Sequence, residues 1–130
     1  VITDNDAQSI GVFLGHNNGS FKSQIKTFTG GGIFPALLAL GEFNSDNHLD
    51  VVVSYWSRYS IGILFGHGNG SFGGLIKFYT ATKYTSSSIA VVDFNGDSHS
   101  DIVFYSYNAR SLDILLGDGN GRLQRQTLFP

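Results

Sequence analysis

Three turn segments at one fixed interval constrain this chain more than any other feature. "LGHNNGSF" (Leu14 to Phe21) returns as "FGHGNGSF" (Phe65 to Phe72) and as "LGDGNGRL" (Leu116 to Leu123), so Gly15, Gly66 and Gly117 follow at steps of 51 residues. A second motif keeps the same step. "EFNSDNHLD" (Glu42 to Asp50) and "DFNGDSHSD" (Asp93 to Asp101) align position for position with no insertion. Strict internal repetition over roughly 50 residues means that one supersecondary unit is stacked on copies of itself.

Within one period four strands are expected: 35–43, 50–56, 60–66 and a weaker 71–80. Each is short, apolar or alternating, and bounded by Gly, Asn, Asp or Ser. The "GHNNG" and "GHGNG" turns carry residues that accept positive φ, as a hairpin between the third and fourth strands requires. Four antiparallel strands per period predict an all-β chain of β-propeller blades. A β-sandwich is the alternative, although it needs no such repeat. The whole chain, 1–130, reads as one propeller region, with an incomplete blade over 1–30 and blades over 31–80 and 82–130. Its opening "VITDNDAQSIGVFLG" aligns with the second and third strands of the later copies. The first blade is therefore expected to lack its innermost strand and its acidic loop. The chain has no Met and starts inside what reads as a strand, which suggests a mature piece or an excised fragment.

Composition excludes several functions. A net charge of −2 with scattered basic residues gives no footprint for nucleic acid. No apolar run approaches the ~20 residues of a membrane-spanning helix, so no membrane insertion is expected and the chain reads as soluble. With no cysteine there are neither disulfides nor thiolate metal sites.

The acidic stretches lie between the first and second strands of their blades. Six of the ten acids in the chain are in these two loops. Numbered from Asp93, oxygen-bearing side chains fall at positions 1, 3, 5 and 9, and His99 at position 7 adds a backbone carbonyl. Alternate positions of a tight loop converge on one point, and a set of hard oxygen donors suits calcium, which takes 6 to 8 oxygens at roughly 2.3 to 2.6 Å. The simpler reading is an Asx-rich turn whose side chains cap their own backbone.

These loops, each some way ahead of an "LFG" or "LLG" and a "GNG", resemble the FG-GAP or VCBS type repeat of integrin α-subunit propellers and of many secreted proteins and lectins. The resemblance implies a propeller whose loops bind Ca2+ through positions 1, 3, 5, 7 and 9. Carried over, the ligands are Glu42, Asn44, Asp46, His48 (carbonyl) and Asp50, and Asp93, Asn95, Asp97, His99 (carbonyl) and Asp101. Two positions depart from the family pattern. Glu42 stands where Asp is usual, and Asn47 or Ser98 stands at position 6 where Gly is usual; the two departures are expected to weaken each site for a different reason.

The glycine-rich turns do not fit a phosphate cradle, which runs from a strand into a helix beside a Lys-Ser or Lys-Thr. His16 and His67 read as solvated turn residues, since Asp118 replaces them in the third copy. No nucleophile and base pair stands out, so no enzymatic activity is expected. The loops between second and third strands vary among the copies: "DNDAQS", "YWSRYS" and "SYNARS". Trp56, Arg58, Tyr59, Tyr107, Asn108 and Arg110 are therefore candidates for binding a glycan or protein ligand. For Tyr55 and Trp56, packing between blades is the competing reading. The expected function is extracellular recognition or adhesion. The alternatives are a non-catalytic part of a secreted enzyme and a self-assembling scaffold. Uncovered end blades predict a homo-oligomer, most simply a dimer that completes the propeller.

Overall fold

A computed structural model describes residues 1–4, 6–30, 34–55, 60–79, 86–106 and 110–129. Among them there is no helix. The eleven strands are β1 (Ile2–Asp4), β2 (Ser9–Val12), β3 (Ile25–Phe28), β4 (Pro35–Gly41), β5 (Asp50–Tyr55), β6 (Ser60–Gly66), β7 (Phe72–Tyr79), β8 (Ser86–Val92), β9 (Asp101–Ser106), β10 (Ser111–Gly117) and β11 (Leu123–Phe129).

They form three antiparallel sheets in chain order: β1-β2-β3, β4-β5-β6-β7 and β8-β9-β10-β11. Each sheet is a plain meander, and no strand crosses from one sheet to another. That is the arrangement of β-blades and not of a Greek-key sandwich. Strand β4 lies against β8 of the third sheet and β1 of the first, so the sheets meet along their leading strands.

The middle sheet explains its own sequence. "DVVVSY" is apolar without alternation because β5 is covered on both faces, and each of its six residues is buried. Val52 joins Phe43, Ile61 and Ile63 against Ile102, Phe104 and Leu115 of the third sheet. Val51, Val53, Tyr55 and Leu64 face the other way, onto Ile10 of the first sheet. At about 1.5 to 3 kcal/mol for each large apolar side chain buried, these two layers are the main source of stability.

The first sheet departs in one place from the strand expected through Leu14. Pairing of β2 with β3 stops at Val12↔Ile25, and a single bridge, Gly15↔Phe21, restores the register that Gly66↔Phe72 holds in the second sheet. Where β7 offers Leu75 to Leu64, the first copy has Gln24, which supplies no apolar partner for Phe13. In the third sheet, buried Asp113 is held by an ion pair with Arg125 at 2.8 Å.

Candidate metal centre

The acidic loops join β4 to β5 and β8 to β9. Their backbones take the same path through two left-handed residues each. Ser45 (φ 60°) and Asn47 (φ 64°) supply these in the first loop, and Gly96 (φ 78°) and Ser98 (φ 69°) in the second. Position 6 was visible in the sequence as a departure from glycine. Position 4 is left-handed as well, and Gly96 at that place in one loop is the sequence signal for Ser45 in the other.

The acids organise the backbone around themselves. Oε1 of Glu42 accepts from the N–H groups of Asn44 (3.0 Å) and Asp46 (3.3 Å), so its longer arm folds back over the loop. At the same position Asp93 accepts from Gly96 and Asp97 through Oδ1 and from Ser98 through Oδ2. Asp46 takes the N–H of His48 and the side-chain amide of Asn44, and Asp97 takes those of His99 and Asn95. The amide contact first, and the backbone N–H next, hold the Asp46 and Asp97 carboxyls below the usual carboxylate range. The backbone-capping hydrogen bonds of an Asx-rich turn are thus all present. They leave a lone pair on each carboxylate oxygen of Asp46 and Asp97, whereas Glu42 Oε1 and Asp93 Oδ1 each accept two bonds.

Asp50 and Asp101 at position 9 are fully buried, and both oxygens of each have structural partners. One oxygen of Asp50 accepts from Phe43 N (2.8 Å) and the other from Gly66 N (2.9 Å), and Asp101 repeats this with Phe94 N (2.8 Å) and Gly117 N (2.9 Å). These carboxylates tie the loop to the end of the third strand. The tie requires glycine at 66 and 117, where a β-carbon would collide with the carbonyl oxygen of Leu49 or Ser100. Burial, and secondarily the charges of Asp46 and Glu42, push the Asp50 carboxyl up, against the pull of its two N–H donors. A nearby cation would favour the charged form.

The histidines at position 7 have a second role. A β-carbon on Gly68 would stand 2.7 Å from Nδ1 of His48, so the imidazole lies over the β6–β7 turn of its own sheet; His99 lies over Gly119 in the same way. His16 and His67 are exposed in turns of matching form, closed by His16 N to Ser20 O (2.7 Å) and His67 N to Ser71 O (3.1 Å).

The first loop is also roofed by the third sheet. Gly121 N donates to Phe43 O (2.7 Å), Ser45 Oγ donates to Gly119 O (2.8 Å), and Glu42 N donates to Ser100 Oγ (3.4 Å). Under this roof the Oδ1 of Asn44 is buried and has no hydrogen-bond partner. Such an oxygen lacks its usual compensation, and a cation would provide it. The donors fit calcium in kind, since every candidate is an oxygen. Among the described residues, no three His, Cys, Asp or Glu side chains are gathered into one cluster able to hold a metal. The amide and carbonyl donors at positions 3 and 7 therefore matter as much as the acids.

Of the candidate ligand-binding residues, Arg110 is exposed at a left-handed position (φ 52°) just before β10. Trp56, Arg58, Tyr59, Tyr107 and Asn108 lie outside the described residues. Among the described residues, no helix is long and apolar enough to cross a membrane.

A family model described as FG-GAP-like repeat matches residues 42–104, from the first acidic loop through the second and into β9. No curated protein and no solved structure matches the chain. The matched segment holds both acidic loops, the four strands β5 to β8 between them and the start of β9, and this part of the chain is similar to an FG-GAP-like repeat.

Proposed function

We propose that this chain is a calcium-holding β-propeller-type module serving recognition or adhesion outside the cell. The observation that carries the calcium reading is the unpartnered, buried Oδ1 of Asn44 inside a set of donors made only of oxygens. Glu42, Asn44, Asp46, the His48 carbonyl and Asp50 would hold one ion, and Asp93, Asn95, Asp97, the His99 carbonyl and Asp101 another. Calcium would supply charge neutralisation, which three carboxylates in one nine-residue loop otherwise lack. Its role is structural. Extracellular modules work with dissociation constants of roughly 10⁻⁴ to 10⁻³ M, and calcium at that level outside the cell fills even sites weakened at positions 1 and 6.

Calorimetric titration tests this. Two ions per chain are expected, with Asp46→Ala and Asp97→Ala each removing one, and the absence of saturable binding would refute it.

Recognition is favoured by the variable loops between second and third strands, which change in every copy while the flanking strands keep their pattern. Exposed Arg110 belongs to one of them. A glycan array with Trp56→Ala and Tyr59→Ala as controls decides the ligand class. Signal lost in both variants supports a carbohydrate, and a blank array leaves a protein ligand.

A further inference from the structure

The triplet Asn-x-Ser or Asn-x-Thr occurs at two places in the sequence, Asn18-Gly19-Ser20 and Asn69-Gly70-Ser71, one step of 51 residues apart. The third copy reads Asn120-Gly121-Arg122 and lacks the hydroxyl residue. With any residue but Pro in the middle, this triplet is the acceptor pattern for an N-linked glycan on a surface loop. A triplet that short also arises by chance, so the local geometry has to carry the rest.

Both acceptor side chains are exposed, in the turns that follow Gly15 and Gly66. A left-handed glycine comes next in each, Gly19 (φ 84°) and Gly70 (φ 90°), and no atom lies within 4 Å of the place a β-carbon on Gly19 would take. The amides have a defined orientation. Oδ1 of Asn18 accepts from Ser20 N (3.1 Å) and Ser20 Oγ (2.7 Å), and Oδ1 of Asn69 accepts from Ser71 N (3.0 Å) and Ser71 Oγ (2.6 Å). A backbone N–H only donates, so the atom facing the serine is the carbonyl oxygen and Nδ2 is the end left over. Among the described residues, nothing accepts from Nδ2 of Asn18 or Asn69. In the third copy Nδ2 of Asn120 is committed to Asp118 O (3.1 Å). Linking a sugar to Nδ2 replaces one of its two hydrogens and leaves Oδ1 an acceptor, so all four bonds from the serines survive in the linked form.

We infer that Asn18 and Asn69 are acceptors of N-linked glycans and that the third copy is not. Nδ2 attacks the anomeric carbon of a lipid-diphosphate-linked oligosaccharide. The C–N bond forms, the bond from that carbon to the diphosphate oxygen breaks, the lipid diphosphate leaves, and one amide proton passes to a base of the transferase. The inference rests on the extracellular reading, because the transfer takes place on the secretory route. It also assigns the ends of the sheets. His48 lies over Gly68, so the Asn69 turn shares the end that carries the acidic loop, whereas exposed Arg110, just before β10, stands at the opposite end of its sheet. Bulky glycans at the acidic-loop end leave the Arg110 end open for a ligand.

Expression of the 130-residue chain behind a secretion leader in cultured eukaryotic cells tests the inference, with intact and peptide mass spectrometry as the readout. Chain retained in the cells is scored in the same way as chain released. The wild type is expected to carry one glycan at Asn18 and one at Asn69. Ser20→Ala is expected to lose the first and keep the second, Ser71→Ala to do the reverse, and Ser20→Thr and Ser71→Thr to keep both. Near-UV circular dichroism is expected to be the same before and after enzymatic removal of the glycans. An unmodified mass in the wild type, glycans that persist in the Ala variants, or native structure that appears only after the glycans are removed would each overturn the proposal. The leader supplies the route and the mass does not depend on calcium. A flat calcium titration would therefore end the calcium reading alone, and an unmodified mass would end this proposal alone.

Discussion

The two acidic loops share a backbone path and the hydrogen bonds of positions 5 and 9, yet the start of one is roofed and the other is open. In the first, Phe43 is inside the core, Ser45 reaches Gly119 across the sheet boundary, and half-buried Asn44 has its Oδ1 shielded from solvent. In the second, each residue from Val92 to Ser98 is exposed. The difference shows that the loop sequence sets conformation, whereas the next sheet sets burial. Identical chemistry at position 2, a phenylalanine, becomes core in one place and surface in the other.

The sharpest way to break this comparison is to truncate the two phenylalanines. Phe43→Ala is expected to cost about 3 to 5 kcal/mol by removing a buried ring, and Phe94→Ala to stay within about 0.5 kcal/mol in the monomer. Urea denaturation reads both; equal costs would mean that the roof has no energetic weight.

The position-9 carboxylates come next. Asp50→Ala and Asp101→Ala each strand two backbone N–H groups, at about 1 to 3 kcal/mol for each buried group. Asp50 is expected to cost more, since its bond to Phe43 N is buried while the bond from Asp101 to Phe94 N is partly open to solvent. Calcium-free denaturation isolates this term from any metal contribution.

The left-handed positions give the smallest effects. Ser98→Gly is expected to stabilise by about 1 kcal/mol, because a β-carbon is strained at positive φ. Ser45→Gly relieves the same strain but forfeits the hydroxyl bond to Gly119, itself worth about 1 kcal/mol, so its net effect is expected near zero. A clear gain from Ser45→Gly would show that the contact across the sheets contributes little.

Much of the fold was legible because its signals are local. The apolar runs around Val52 and Ile63, bounded by Gly and Asx residues, mark strands within a few positions of their observed ends. The acidic loops were legible for the same reason. The roof was not. It joins Ser45 to Gly119, 74 residues apart, and nothing near Ser45 distinguishes it from Gly96, for which no such bond is found. The dual grip of Asp50 was also hidden, since one of its partners lies 16 residues away at the end of β6. A trace was present nonetheless: a glycine follows the last acid of each loop at that distance, at 66 and at 117.

Thermal melting in calcium and in chelator shows whether the loops hold calcium and calcium holds the fold. A higher midpoint is expected in calcium, corresponding to about 2.7 kcal/mol per site at a free concentration 100 times the dissociation constant, with Asp46→Ala and Asp97→Ala each losing part of that gain. A midpoint that is the same in calcium and in chelator would contradict it, and would leave the acidic loops as turns stabilised by their own hydrogen bonds alone.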